Sequence, residues 1–188
     1  MKIFTKLTSF VVLLAAFTLS SCEKEELELN VVSVNGVEVT LIPIGGGETQ
    51  SFTMSTPYTG EDGKTFGELK QEDITLKANT TYNATITYFS NKTGTRVVQN
   101  DNIRKEEAVY AVAFEKGSNN TQDFTAELTV AATDKKADGT PLGLLATFTT
   151  GKAGVETLYI DLNANKTKGK SYMAGTVFNA TYFVNVQP

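Results

Sequence analysis

From Leu29 to the end of the chain, apolar and polar residues take turns, and this period of two is the strongest constraint on what the polypeptide can become. Tyr82, Ala84, Ile86 and Tyr88 alternate with Asn83, Thr85 and Thr87; Phe124, Ala126, Leu128, Val130 and Ala132 alternate with Thr125, Glu127 and Thr129. Side chains two apart share one face of a pleated strand, so such runs bury one face and wet the other. Similar runs cover 37–44, 50–55, 107–116, 143–150, 155–162 and 176–187. Apolar residues at i, i+3, i+4 and i+7 never persist beyond a turn or two after the first 21 residues. Threonine fills roughly one position in seven, and Val, Tyr and Phe supply much of the rest, a composition suited to half-buried pleated surfaces. The predicted fold class is all-β.

Turn residues separate the runs: Asn35-Gly36, Gly45-Gly46-Gly47, Glu61-Asp62-Gly63, Gly117-Ser118-Asn119-Asn120, Asp138-Gly139 before Pro141, and the loop 163–169. Asn-Gly is the pair best able to hold both central residues of a tight turn at positive φ, so Val31–Asn35 and Gly36–Ile42 are expected to form a hairpin. Eight or nine strands at short spacing fit an immunoglobulin-like two-sheet sandwich or a closed up-and-down barrel. The irregular stretches 56–72 and 163–175 favour the sandwich, because they are long enough to cross between sheets.

The first 21 residues have another character. Lys2 and Lys6 precede a 13-residue run without charge, Leu7 to Leu19, followed by small residues. That is the layout of a secretory leader, and the run is shorter than the roughly 20 residues of a membrane-spanning helix. It ends Leu19-Ser20-Ser21-Cys22, which resembles the lipobox of bacterial lipoproteins, and Cys22 is the only cysteine in the chain. The resemblance implies cleavage before Cys22, a thioether-linked diacylglyceryl group on its sulfur, and attachment to a membrane through acyl chains. Lys24-Glu25-Glu26 resembles the Lys-acid-acid export signal of surface lipoproteins of Bacteroidota, and implies the outer face of the outer membrane; the alternatives are a periplasm-facing anchor and a plain solvated tether. The expected organisation is therefore a leader over 1–21, an acylated cysteine with an acidic tether over 22–28, and one all-β domain over 29–188.

Loss of Lys2 and Lys6 with the leader leaves 167 residues and takes the net charge from −4 to −6. Such a surface repels phosphate backbones and argues against nucleic acid as a partner. Histidine and tryptophan are absent from the whole chain, and no cysteine follows Cys22. Histidine acid–base catalysis, Cys or Ser-His nucleophiles, histidine-ligated zinc and tryptophan sugar platforms are excluded. No cofactor is expected.

The segments 37–54, 76–94 and 133–162 resemble a group of small lipoproteins from Flavobacteriia and other Bacteroidota. The resemblance rests on a Gly-Gly-Gly turn, an Ala-Asn-Thr-Thr-Tyr strand opening, and an Asp-Gly-x-Pro-x-Gly turn leading to a Thr-Gly strand end. It implies a β-sandwich without catalytic activity, often encoded beside TonB-dependent outer-membrane receptors. Relatives often carry a histidine where this chain has Asp161-Leu162-Asn163-Ala164-Asn165, so a metal role that used it has no counterpart here.

Four places have the chemistry to bind something. Tyr58, Glu61, Asp62 and Phe66 share the long 56–72 segment, where carboxylates beside aromatics suit sugars or cations; the plain reading is a solvated crossover. Asp134, Asp138 and Gly139 could offer oxygens to calcium, but Lys135 and Lys136 break the ligand spacing, and an ordinary polar turn is expected. Glu106 and Glu107 are adjacent and so diverge on a strand, which is wrong for a glycosidase pair. Among Tyr159, Tyr172, Tyr182 and Phe183, Tyr182 falls on the core face, and Phe183 is either an exposed recognition residue or covered by a neighbouring element. The expected function is a non-enzymatic, membrane-anchored interaction module or accessory of an uptake receptor, the alternatives being a glycan- or small-ligand-binding module and an adhesin.

Overall fold

The computed structural model describes residues 32–117, 125–164 and 175–188. Cys22, Lys24, Glu25 and Glu26, like Phe124 and Tyr172, lie outside the described residues. Two antiparallel-based sheets face each other. The first has the order β10-β11-β7-β1-β2-β5, built from β1 (Gly36–Pro43), β2 (Gln50–Ser55), β5 (Lys70–Gln71), β7 (Thr81–Ser90), β10 (Leu128–Ala132) and β11 (Leu145–Thr150), with β8 (Val97–Val98) added beside the end of β7. The second has the order β6-β13-β12-β9, from β6 (Ile74–Lys77), β9 (Tyr110–Lys116), β12 (Gly154–Ala164) and β13 (Gly175–Gln187). A separate hairpin pairs β3 (Tyr58–Thr59) with β4 (Thr65–Phe66).

Among the described residues nine strands have four residues or more, and the fold is the expected all-β sandwich, immunoglobulin-like in its two stacked sheets. The period of two explains why they close. Val37, Val39 and Leu41 of β1 are fully buried, as are Leu158, Ile160 and Leu162 of β12 and Ala180 and Tyr182 of β13. Each buried Val, Leu or Ile contributes about 1.5–3 kcal/mol. Rings lock the faces together: Tyr88 meets Phe178 edge-on at 6.5 Å, and Phe148 meets Phe114 at 6.3 Å. The segment 56–73 carries the chain from β2 in the first sheet to β6 in the second, as expected of a crossover. The 163–175 stretch does not cross. Ala164 pairs with Gly175, so β12 and β13 are neighbours in one sheet and their connection is a hairpin.

The hairpin expected at Asn35-Gly36 is also absent. Residues 32–34 form no strand, and neither Asn35 nor Gly36 has a positive φ. Asn35 is instead a buried clamp: its Nδ2 donates to Thr56 O at 2.8 Å and its Oδ1 accepts from Asn91 N at 2.7 Å. Gly36 lies opposite Phe89 on β7, and the phenyl ring lies where a Cβ would stand. Tight-turn sequence preference lost here to a buried side-chain bridge and a ring stacked over bare backbone.

A short helix, α1 (Asn100–Lys105), precedes β9 and has no counterpart in the sequence reading. Its only buried residue is Ile103, so no apolar periodicity announces it. Asp101 in its first turn and Arg104 and Lys105 in its last suit the helix dipole. Its first residue continues the sheet by other means: Asn100 Oδ1 accepts from Tyr88 N at 2.9 Å and Nδ2 donates to Ile86 O at 2.8 Å. Glu106 and Glu107 consequently sit in the turn after α1, and β9 begins at Tyr110.

Four tyrosines reach into this interior, and three find partners. Tyr182 donates to Val37 O at 3.2 Å across the sandwich, Tyr110 accepts from Val32 N at 3.0 Å, and Tyr82 accepts from Lys77 N at 2.8 Å. The hydroxyl of Tyr88 is buried without a partner. Desolvation drives its pKa well above the ordinary phenol value, with lesser contributions from Asp161 and Tyr182. An orphaned buried hydroxyl costs about 1–3 kcal/mol, whereas a satisfied one contributes about 1 kcal/mol. Tyr88→Phe is therefore expected to leave the fold intact and raise its stability by about 1 kcal/mol, whereas Tyr182→Phe lowers it by about the same amount. Urea titrations of the two variants check both signs.

Candidate functional site

The β3–β4 hairpin brings two of the sequence-nominated residues together. Tyr58 and Phe66 are direct cross-strand partners, Thr59 pairs with Thr65, and the turn closes through Gly60 N to Lys64 O at 2.8 Å. Gly63 sits at φ +77, as the Asp62-Gly63 pair suggested. The Asp62 carboxylate is used by its own turn, accepting from Lys64 N at 3.1 Å and pairing with Lys64 Nζ at 3.0 Å. The Lys64 hydrogen bonds hold this exposed carboxyl below its usual range. Glu61 is exposed at the same turn. Lys92 Nζ stands 4.5 Å from the centre of the Tyr58 ring, so a cation of the chain already occupies that face. Within this hairpin the Asp62 carboxylate and one face of the Tyr58 ring are thus already engaged by lysines of the chain itself.

A second cation–ring contact lies near the clamp. Arg96 stacks 4.2 Å from the Phe89 ring centre and pairs with Glu38 at 3.0 Å, so the Phe89 ring lies between Gly36 and a guanidinium. The acidic loop beyond β10 is equally committed. Asp134 accepts from Gly143 N at 2.8 Å and faces Arg104 at 3.3 Å, and Asp138 accepts from Thr140 N at 2.9 Å. These are the bonds of the expected polar turn, with Gly139 at φ +83.

Phe183 is 50% exposed, so no neighbouring element covers the ring. It lies on the outer face of the second sheet, opposite Thr157, while Val155 lies opposite Asn185. Phe183 and Val155 are thus diagonal neighbours on one open face, and Val155 is 48% exposed. Tyr182, on the inward face, is core as expected.

The depression beside the glycine loop was not found from the sequence. A cavity of about 660 Å³ lies between the β1–β2 loop, which includes Gly45, Gly46 and Gly47, and the β6–β7 turn, which includes Asn79 and Thr80. β1 runs on to Pro43 against Tyr82 of β7, while its pairing with β2 stops at Leu41 and Gln50, so the loop splays from the sheet and leaves the space. Both turns are visible in the sequence; nothing in a single sequence says that they meet. A smaller groove of about 270 Å³ lies between β9 and β10, over Phe114, Leu128 and Leu158. Among the described residues no group of three or more acidic side chains gathers to hold a metal ion.

No family model, curated protein or solved structure matches this chain.

The edge of β2 depends on one carboxylate. Glu72 Oε2 accepts from Thr53 N at 2.6 Å, its own N–H donates to Thr53 O at 3.1 Å, and Lys70 Nζ stands 2.9 Å from Oε1. The Lys70 hydrogen bond, and then the Thr53 N–H, lower its pKa below the model-peptide value of 4.5. A depressed carboxyl stabilises the fold above its unfolded pKa, and the contribution is lost as pH falls through the folded one. Glu72→Gln is expected to lower the melting temperature at pH 7, and the gap from the parent should close as the pH drops below about 4.5. Thermal melts at pH 7 and pH 3 measure it.

Proposed function

We propose that this chain is a membrane-anchored lipoprotein of the outer membrane, with a non-enzymatic β-sandwich that serves as a surface interaction module and accessory of an uptake receptor. The observation that carries this reading is the lone Cys22 behind a short apolar run and small residues. Only a thiol forms the required thioether. One acyl chain gives marginal membrane binding, and two or more hold stably, each buried methylene contributing about 0.8 kcal/mol. Lys24-Glu25-Glu26 directs the body to the outer face. The exposed pair Phe183 and Val155 supports a protein contact, since it offers apolar surface on an open sheet. The absence of histidine from the sequence leaves little machinery for acid–base chemistry near neutral pH.

A second reading, a module for glycans or small ligands, draws its support from the 660 Å³ cavity, a size typical of small-molecule sites.

Labelling growing cells with palmitate tests the anchor. The parent chain is expected to take up label and stay with the membrane fraction, and Cys22→Ala to lose both. Protease treatment of intact cells is expected to digest the domain; survival until lysis would place it in the periplasm.

A further inference from the structure

We propose that the cavity between the β1–β2 loop and the β6–β7 turn is a binding site for a neutral saccharide. The proposal deepens the second reading above and names its ligand class and its place. One wall is rigid. Ala78 N donates to Gln187 O at 2.7 Å, Asn79 N to Gly151 O at 3.1 Å and Thr80 N to Thr150 Oγ1 at 3.0 Å, so two separate segments, the ends of β13 and β11, brace the β6–β7 turn. Thr150 Oγ1 in turn donates toward Lys77 O at 2.7 Å and Thr80 O at 3.0 Å.

At the centre of this wall stands Asn79, alone among the described non-glycine residues in having a positive φ, at +51°. Glycine would take that conformation without strain. Asparagine also tolerates it, and adds an exposed amide at the cavity rim that donates and accepts hydrogen bonds.

Part of the opposite wall is bare backbone. Gly45 and Gly46 hold φ near +100, and a Cβ on either would meet nothing. Their backbone angles demand glycine, and the consequence is a stretch of that wall free of side chains, which a bulky ligand can approach closely. Around this space stand one cation, Lys77, one anion, Glu48, and the amides of Gln50 and Asn79. The charges cancel, and donors and acceptors are mixed. Pro43 and Ile44 supply an apolar patch, Ile44 being 57% exposed.

A metal ion would need converging anions, and an amino acid or other small zwitterion would need enclosure to shield its charges. A sugar needs neither. Its hydroxyls match mixed donors and acceptors, its C–H face packs on aliphatic carbon, and it keeps its outer face hydrated in an open site. On the anchor reading the chain enters β1 at Gly36, and the cavity lies beyond the other end of that strand, roughly 25 Å along it.

The test is saturation-transfer NMR on the full chain in detergent micelles, with cellohexaose, laminarihexaose and mannohexaose as probes. At least one is expected to bind. Asn79→Gly removes the amide and relieves the backbone, so it should weaken binding at least tenfold while the melting temperature holds or rises. Lys77→Met should also weaken binding, and Phe183→Ala should not. No binding by any of the three, or binding that survives both cavity substitutions, overturns the proposal. Palmitate labelling is independent: a chain that binds sugar but takes no label overturns the anchor alone, and a labelled chain that binds no sugar overturns the cavity alone.

Discussion

Everything in this domain depends on two period-two faces having to close on each other. The fully buried side chains of β1, β12 and β13 have no other way to leave water, and their registers fix which loops meet at each end. The burial is not directional. Direction comes from the tyrosines, above all Tyr182, whose hydroxyl reaches from the second sheet to Val37 O in the first. An apolar ring body with a polar tip serves both needs in one side chain.

Where strands stop, polar side chains take over the ladder. Asn35, Asn100 and Glu72 each bond to main-chain groups of β-strands or their immediate exits, and Thr150 does the same for the β6–β7 turn. Even the stretch of β13 not covered by β6 is capped at Thr181, whose N–H donates to Met54 Sδ at 3.3 Å and whose carbonyl accepts from Gln71 Nε2 at 3.4 Å. Backbone groups away from water must be paired, and this chain uses short Asn, Thr and Glu side chains where further strand residues would otherwise be needed.

That substitution explains what could be read from the sequence and what could not. The strand over 50–55 was legible to the residue, and 37–44, 82–88 and 176–187 nearly so, because alternation is a local property. The inward set of β13 was legible for the same reason; the crossover at 56–72 was read from the length of that segment, a weaker signal that failed for 163–175. Asn35 misled because a turn-forming pair and a buried clamp look identical in one dimension. Helix α1 escaped because a single apolar residue has no period, and β6 because four residues are too few to show one. Of the nominated site residues, Tyr58 and Phe66 do meet, but Lys92, which fills the face of the Tyr58 ring, is far along the chain. The exposure of Phe183 is not a local property, since it depends on what the rest of the chain places over it.

The parallel pairing of β6 with the last strand has a practical corollary for anyone handling this protein. Ala78 N bonds to Gln187 O, so the carboxyl end runs directly alongside the turn that holds Asn79. An affinity tag or fluorescent reporter joined after Pro188 would emerge beside the cavity mouth and crowd it, whereas a short epitope inserted at the Glu61–Gly63 turn would decorate the domain at the opposite end of β1 and β2.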